Sequence, residues 1–248
     1  MGQTIVLTGM ILTAMPVGDY DKRVQILTRE RGKIAAFARG ARRPNSALVA
    51  AANPFSFGQF EVFEGRTAYS LSKAGISEYF REIAADLDTA YYGFYFLEMA
   101  AYYTQENMDA TDFLNLLYVT LKALLSPALD NCLVRRIYEM RMLVLSGEYP
   151  NVFSCMKCGR NEVADDRPHF FSIRHHGVLC PDCIKGERII AMDASALYAL
   201  QYIISAPLGK LYTFTLSESV FACLDEMISK YIHQYRDHTF HSEELLKK

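Results

Sequence analysis

Along residues 4–77 the apolar positions come in short runs or alternate with polar ones, the period of strands. IVLTGMILTA (5–14) is an apolar, β-branched run. In KRVQILT (22–28), Val24 and Ile26 take one face, while Arg23, Gln25 and the following Arg29 take the other. In KIAAFARG (33–40), Ile34, Ala36 and Ala38 form one face and Lys33, Phe37 and Arg39 the other. The RERG between them reads as a hairpin turn, with Gly32 free to take positive φ. FSFGQFEVFEG (55–65) and TAYSLSKAGI (67–76) complete about five strands, and Gly58 marks a bulge or bend. Five short strands with one longer connection (41–54) predict a small closed barrel of the oligonucleotide/oligosaccharide-binding (OB) type. An SH3-like barrel is the main alternative.

After residue 78 the period becomes helical. Helices are predicted over 87–105, capped by Asp86 or Asp88, over 110–125, stopped by Ser126-Pro127, and over 129–146, ending near Gly147. Residues 148–190 are rich in turns and Cys. Helices resume over 194–206, capped by Asp193, and over 216–235, where Thr215 and Glu218 suggest a capping box. The tail from His238 is expected to be loose. The predicted fold class is α+β: an OB barrel (1–79), then one helical bundle (80–149 and 189–238) interrupted by a Cys-rich insertion (150–188).

Composition changes this picture little. The chain has 248 residues, 51% hydrophobic and 22% charged, as in an ordinary globular protein. TIVLTGMILTAMPV lacks a preceding basic region and reads as a strand rather than a targeting segment, and no long apolar run suggests a membrane span. A cytoplasmic location is expected.

Charge changes more. Residues 1–81 hold eleven Lys or Arg against six acids, about +5, while the remainder holds fifteen against twenty-two, about −7. The stretch ARGARRPNS concentrates Arg39, Arg42 and Arg43. A basic module joined to an acidic one suggests a polyanionic partner for the first. Arg23, Arg29, Lys33, Arg39, Arg42 and Arg43 supply charge for phosphates, and Phe37 a ring for stacking, the combination that holds single-stranded nucleic acid. Taken singly, Phe37, Phe55, Phe57, Phe60 and Phe63 read as core residues.

Cys155-Met-Lys-Cys158 and Cys180-Pro-Asp-Cys183 each place two thiolates on a tight turn, with twenty-one residues between the pairs. Four thiolates suit tetrahedral Zn²⁺, and a four-Cys site has no open position, so its role is structural. An iron–sulfur cluster or redox thiols are the alternatives. His169, His175 and His176 read as loop-surface histidines, and Cys132 and Cys223 as small buried hydrophobes.

The run VGDYDKRVQILTRERGKIAAFARGARRPNS, followed by NPFSFGQFEVFEGR, resembles the N-terminal signature of the RecO family of recombination mediators. The matching elements are Gly18 to Asp21, Leu27 to Lys33 and Ala38 to Ser46, and the likeness continues through a helical part and a four-Cys element. The resemblance implies a DNA repair protein of the RecF-type pathway that binds single- and double-stranded DNA and anneals complementary strands, with Arg39, Arg42 and Arg43 on the phosphates and Arg23, Arg29, Lys33 and Arg66 as additions. It implies that RecR helps it load RecA onto DNA coated by single-strand-binding protein (SSB). It also implies binding of the acidic, apolar SSB tail and action at the bacterial nucleoid.

No enzyme motif competes. The chain has no Gly-x4-Gly-Lys-Ser/Thr loop, Gly-x-Ser-x-Gly elbow or His-Glu-x-x-His. Asp19, Asp21 and the pair Asp165-Asp166 read as solvated loop acids, so no catalysis is expected. Two rivals stay open. One is an adaptor without DNA contact, docking through a helical part that carries Met99, Met108, Met140 and Met142. The other is an RNA-binding OB protein.

Overall fold

The computed structural model describes residues 2–66, 68–236 and 238–246, apart from the Tyr235 side chain. It divides into two compact units, residues 1–125 with 240–248, and residues 126–239. The barrel expected over 1–79 lies in the first unit together with the helices up to residue 124, and the later helices group with the Cys-rich segment.

The first unit begins with β1 (Gln3–Val17), β2 (Asp21–Thr28) and β3 (Gly32–Ala38), continues through the short α1 (Leu48–Ala51), and completes the barrel with β4 (Phe57–Glu64) and β5 (Tyr69–Glu78). The long β1 serves both sides, pairing antiparallel with β2 through Ile11↔Ile26 and with β4 through Leu7↔Phe60. A parallel β3–β5 pairing, Ala36↔Tyr69 to Ala38↔Leu71, closes the ring in the order β1-β2-β3-β5-β4. That order is the OB barrel and excludes the SH3-like alternative.

The predicted alternation holds. Leu7, Ile11, Val24, Ile26, Ile34, Ala36, Ala38, Phe60 and Val62 fill the barrel. Gly58 sits at the expected irregularity, where the β4–β5 register shifts after Phe57. Among the phenylalanines expected inside, Phe55 and Phe60 are buried, but Phe63 is 44% exposed and Phe37 39% exposed. Strand period turns both outward.

Three helices follow in this unit: α2 (Arg81–Ala85), α3 (Leu87–Tyr103) and α4 (Thr111–Leu124). Asp86 caps α3, accepting from the Thr89 N–H at 2.8 Å. The loop from α3 to α4 docks on the β2–β3 turn. There the Lys33 N–H donates to Gln105 O at 3.0 Å and the Asn107 N–H to Arg31 O at 2.9 Å. Gly32 permits this approach: its φ is +65°, and a Cβ there would lie 2.0 Å from Gln105 O.

The second unit holds α5 (Asn131–Ser146), a three-stranded sheet of β6 (His169–Ser172), β7 (Gly177–Leu179) and β8 (Ile190–Met192), then α6 (Ala194–Ser205) and α7 (Glu218–Tyr235). Gly147 ends α5 at φ 76°, as the sequence suggested. Asp193 caps α6 through the Ala196 N–H at 2.7 Å. In α5, the fully buried Glu139 carboxylate accepts from Arg135 at 2.8 Å and Arg136 at 2.6 Å, and Arg136 also reaches Asp225 of α7 at 2.7 Å.

Two local expectations fail. The N-cap of α7 is Ser217, with no side-chain cap bond, so Thr215 and Glu218 make no capping box. The tail expected to be loose forms α8 (His241–Leu245), grouped with the first unit; Ser242 is buried and its hydroxyl donates to Glu98 at 2.6 Å. A polar residue in a short tail carries no periodic signal, so this anchor was invisible to pattern reading. No described helix is long and apolar enough to cross a membrane.

Candidate nucleic-acid interface and metal centre

One end of the β2–β3 hairpin carries the arginine-rich loop. The Asp21 carboxylate accepts from the Gly40 N–H at 2.8 Å, and the chain then turns back with the Arg43 N–H donating to Gly40 O and the Ser46 N–H to Arg43 O, both at 3.0 Å. The Gly18–Asp21 element therefore builds the platform for Ala38–Ser46, bringing two segments about twenty residues apart in sequence into one corner. Arg42 is tied twice to the β1–β2 turn, by its N–H to Tyr20 O at 2.8 Å and by its guanidinium to Gly18 O at 3.0 Å. The Arg43 guanidinium lies over the exposed Tyr20 ring, 5.0 Å from its centroid. Beside them, burial and the charge of Arg42 lower the Lys22 pKa, and its ammonium is held by Ala52 O at 3.1 Å and Asn53 Oδ1 at 2.7 Å.

Arg23, on the outer face of β2, has Phe37 as its cross-strand partner. Arg66, in the β4–β5 turn, joins them in lining one pocket. Arg23, Arg39, Arg42, Arg43 and Arg66 are all exposed. Among the described residues, no carboxylate lies within 4.0 Å of their guanidinium groups.

Arg29 and Lys33 do not join this end. Leu27 pairs with Lys33 beside the turn, whereas Lys22 pairs with Ala38 at the far end. The six residues from Lys33 to Arg39 separate the two ends by about 20 Å at ~3.3 Å per residue. The Lys33 ammonium donates to the Ala101 carbonyl of α3, and burial lowers its pKa. Alternation placed the two strands' polar faces side by side, but it did not say which residues share an end. Sequence reading missed Tyr20, Glu64 and Glu106 at this surface. Tyr20 lay inside the quoted Gly18–Asp21 element; Glu106 lies far along the chain and carried no signal.

In the second unit, the Sγ atoms of Cys155, Cys158, Cys180 and Cys183 lie within 4.8 Å of one another. The Cys158–Cys180 separation is 3.6 Å. A tetrahedral ion with Zn–S bonds of about 2.3 Å needs edges of about 3.8 Å, so the four sulfurs fit such an ion. Each turn is braced. The Cys155 N–H donates to Arg160 O at 2.7 Å and the Gly159 N–H to Cys155 O at 2.9 Å. The second pair spans a 3-10 turn, Pro181–Cys183. Lys157 bridges the two turns, donating to Cys183 O at 3.0 Å and Glu187 at 2.7 Å, and Arg160 pairs with Asp182 at 3.0 Å.

The donor chemistry also asks for a cation. Burial opposes ionisation of Cys155, but N–H donors from Cys180, Cys158 and Lys157 bring its thiol down to about 6. Its hydrogen bond to Cys180, then burial, push Cys183 up to about 12. Four sulfurs within 4.8 Å of one another would repel as thiolates unless a cation lay among them.

Other polar residues of the segment are paired within it. His169 is not a loop-surface residue: it lies on β6, 1% exposed, between Glu162 at 3.4 Å and Asp165 O at 3.0 Å. His175 contacts Glu187 at 3.0 Å, and His176 lies edge-on to Tyr231. Asp165 accepts from Arg167 at 2.9 Å. Cys132 is exposed in the first turn of α5, where helix phase turns it out, and Cys223 is half-buried on α7, so neither is the buried small hydrophobe expected.

Comparison with known proteins covers nearly the whole chain. The family model described as "Recombination protein O N terminal" matches residues 1–80, and "Recombination protein O C terminal" matches residues 84–244. The chain is similar to the DNA repair protein RecO of Acetivibrio thermocellus, 30% identical over 245 residues, which are 97% of this chain and 95% of that protein. It is 28% identical over 242 residues to the RecO of Alkaliphilus metalliredigens, covering 97% of each. It is 31% identical over 229 residues to that of Shouchella clausii, covering 91% of this chain and 87% of the relative.

Proposed function

Because the chain belongs to the RecO family, with a role in DNA repair and recombination, we propose that it is a DNA-binding recombination mediator whose barrel holds phosphates through Arg39, Arg42 and Arg43. The observation that carries this reading is the arginine-rich end of the hairpin, where exposed guanidinium groups stand on a braced loop without carboxylate partners. Arg is suited to bidentate contact with phosphate oxygens. Arg23, Arg66 and the Phe37 ring extend the surface onto the strands, the region OB barrels use for nucleic acid. Arg29 and Lys33, at the other end of the hairpin, take a lesser part.

Annealing on such a surface needs no nucleophile, and the protein is not an enzyme in this reading. Neutralising the phosphates of two strands lowers their repulsion and raises their local concentration. RecR, RecA and the SSB tail are the partners this role calls for, and the cytoplasm is its location. Cys155, Cys158, Cys180 and Cys183 hold one Zn²⁺, which orders a segment with little apolar core of its own.

The test is fluorescence anisotropy of a labelled single-stranded oligonucleotide across a salt series. The triple variant Arg39→Ala/Arg42→Ala/Arg43→Ala should bind more weakly, with a log–log salt slope shallower by about 2, from ~0.7 per lost contact. Arg29→Ala should leave the slope nearly unchanged. Wild-type protein that ignores DNA at low salt would overturn the reading and favour the adaptor. Tighter binding of a matched RNA strand would turn it to RNA.

A further inference from the structure

The pocket lined by Arg23, Phe37 and Arg66 also contains Glu64, Tyr69 and Glu106. Its volume is about 370 Å³, at the small end of ligand sites. Phosphate binding explains the arginines and not the acids, because carboxylates beside a phosphate repel it. The acids are built in. The backbone of Glu106 bridges to Gly32, which fixes the α3–α4 loop against the barrel. The Tyr69 hydroxyl donates to Glu64 at 3.4 Å, Glu106 lines the same pocket, and Glu64 faces Arg31 at 3.8 Å. Burial and the charges of Glu106 and Glu64 raise the Tyr69 pKa, so the phenol stays a donor between the two acids.

We infer that this pocket receives one unstacked nucleobase, with Phe37 against its face, Arg23 and Arg66 at the flanking phosphates, and Glu106 accepting from its Watson–Crick edge, and that it prefers guanine over thymine. The inference rests on the DNA-binding reading above. Guanine alone offers two adjacent N–H donors on that edge, N1–H and the N2 amine, which match the two oxygens of a carboxylate. Thymine offers one N–H between two carbonyl oxygens, and those oxygens face a carboxylate unfavourably. Glu64 is shared with Arg31 and Tyr69, so its part is to position Tyr69 and hold the floor of the pocket. Exposed Phe37 supplies stacking, which tolerates every base, so the carboxylate is the element that discriminates.

The experiment compares labelled oligothymidine with the same strand carrying isolated guanines, or inosines, which lack the N2 amine, at several salt concentrations. The guanine strand should bind about fivefold to tenfold tighter than oligothymidine, the low end for a bidentate contact because the pocket is open to water. Inosine should fall between. Glu106 is exposed, so Glu106→Gln leaves the fold intact, and it should bring the guanine-to-thymine ratio close to one. Phe37→Leu should weaken binding of all strands while keeping that ratio. Salt-dependent binding with no base preference overturns the pocket and leaves the phosphate reading standing. A Glu106→Gln protein that binds all strands tighter by the same factor also overturns it, since the acid would then act only by repulsion. Absence of any DNA binding overturns both.

Discussion

Gly32 is a position where backbone conformation and close approach can be separated by experiment. Its φ of +65° places it in the left-handed region, where a side chain costs about 1–2 kcal/mol. A Cβ would also lie 2.0 Å from the carbonyl oxygen of Gln105, a backbone atom that cannot rotate away. The α3–α4 loop must therefore retreat, breaking the Lys33-to-Gln105 and Asn107-to-Arg31 hydrogen bonds. Each contributes about 1 kcal/mol net. Gly32→Ala should thus cost about 3–4 kcal/mol, a large part of the ~5–15 kcal/mol that holds a domain together. Gly18 provides the control. Its φ is +57° and nothing lies within 4 Å of its hypothetical Cβ, so Gly18→Ala should cost only the conformational part, about 1–2 kcal/mol. Urea unfolding followed by tyrosine fluorescence reads both variants against wild type. If Gly32→Ala is no worse than Gly18→Ala, the loop is not anchored on the hairpin turn as described, and the placement of Glu106 loses its physical basis.

Two further predictions concern the second unit. Metal analysis of the purified protein should find one zinc per chain, and a strong chelator should speed hydrogen exchange at Cys155, Met156 and Val178, with the barrel amides unchanged; equal exchange with and without metal would show that the segment holds itself. Glu139→Ala removes the buried carboxylate that Arg135 and Arg136 share and should cost about 3–5 kcal/mol, seen as a clear drop in Tm; an unchanged Tm would mean that water replaces the carboxylate.

Much of this protein was legible in order along the chain, because the relevant signals are local. A period of two sends Val24 and Ile26 inward and Arg23 outward wherever the strand ends up. Asp86 and Asp193 cap helices through neighbours three residues on, and Cys-x-x-Cys turns present paired sulfurs by local geometry alone. Other properties needed partners distant in sequence. The parallel β3–β5 pairing that closes the barrel depends on two strands finding each other across thirty residues of intervening chain. Strand polarity, not composition, separated Arg29 and Lys33 from Arg39, Arg42 and Arg43. Docking of the α3–α4 loop on Gly32 brought Glu106 to Phe37 and Arg23, and no periodicity reports such a meeting. Burial of His169 between Glu162 and Asp165, like the anchoring of the tail through Ser242 and Glu98, is a satisfied polar contact, whose stability comes from pairing rather than from hydrophobic pattern. Which residues face inward and which sulfurs pair on a turn follow from geometry a few residues long and can be read along the chain. Which charges share a surface depends on where chain segments tens of residues apart come to rest, and long-range packing sets that.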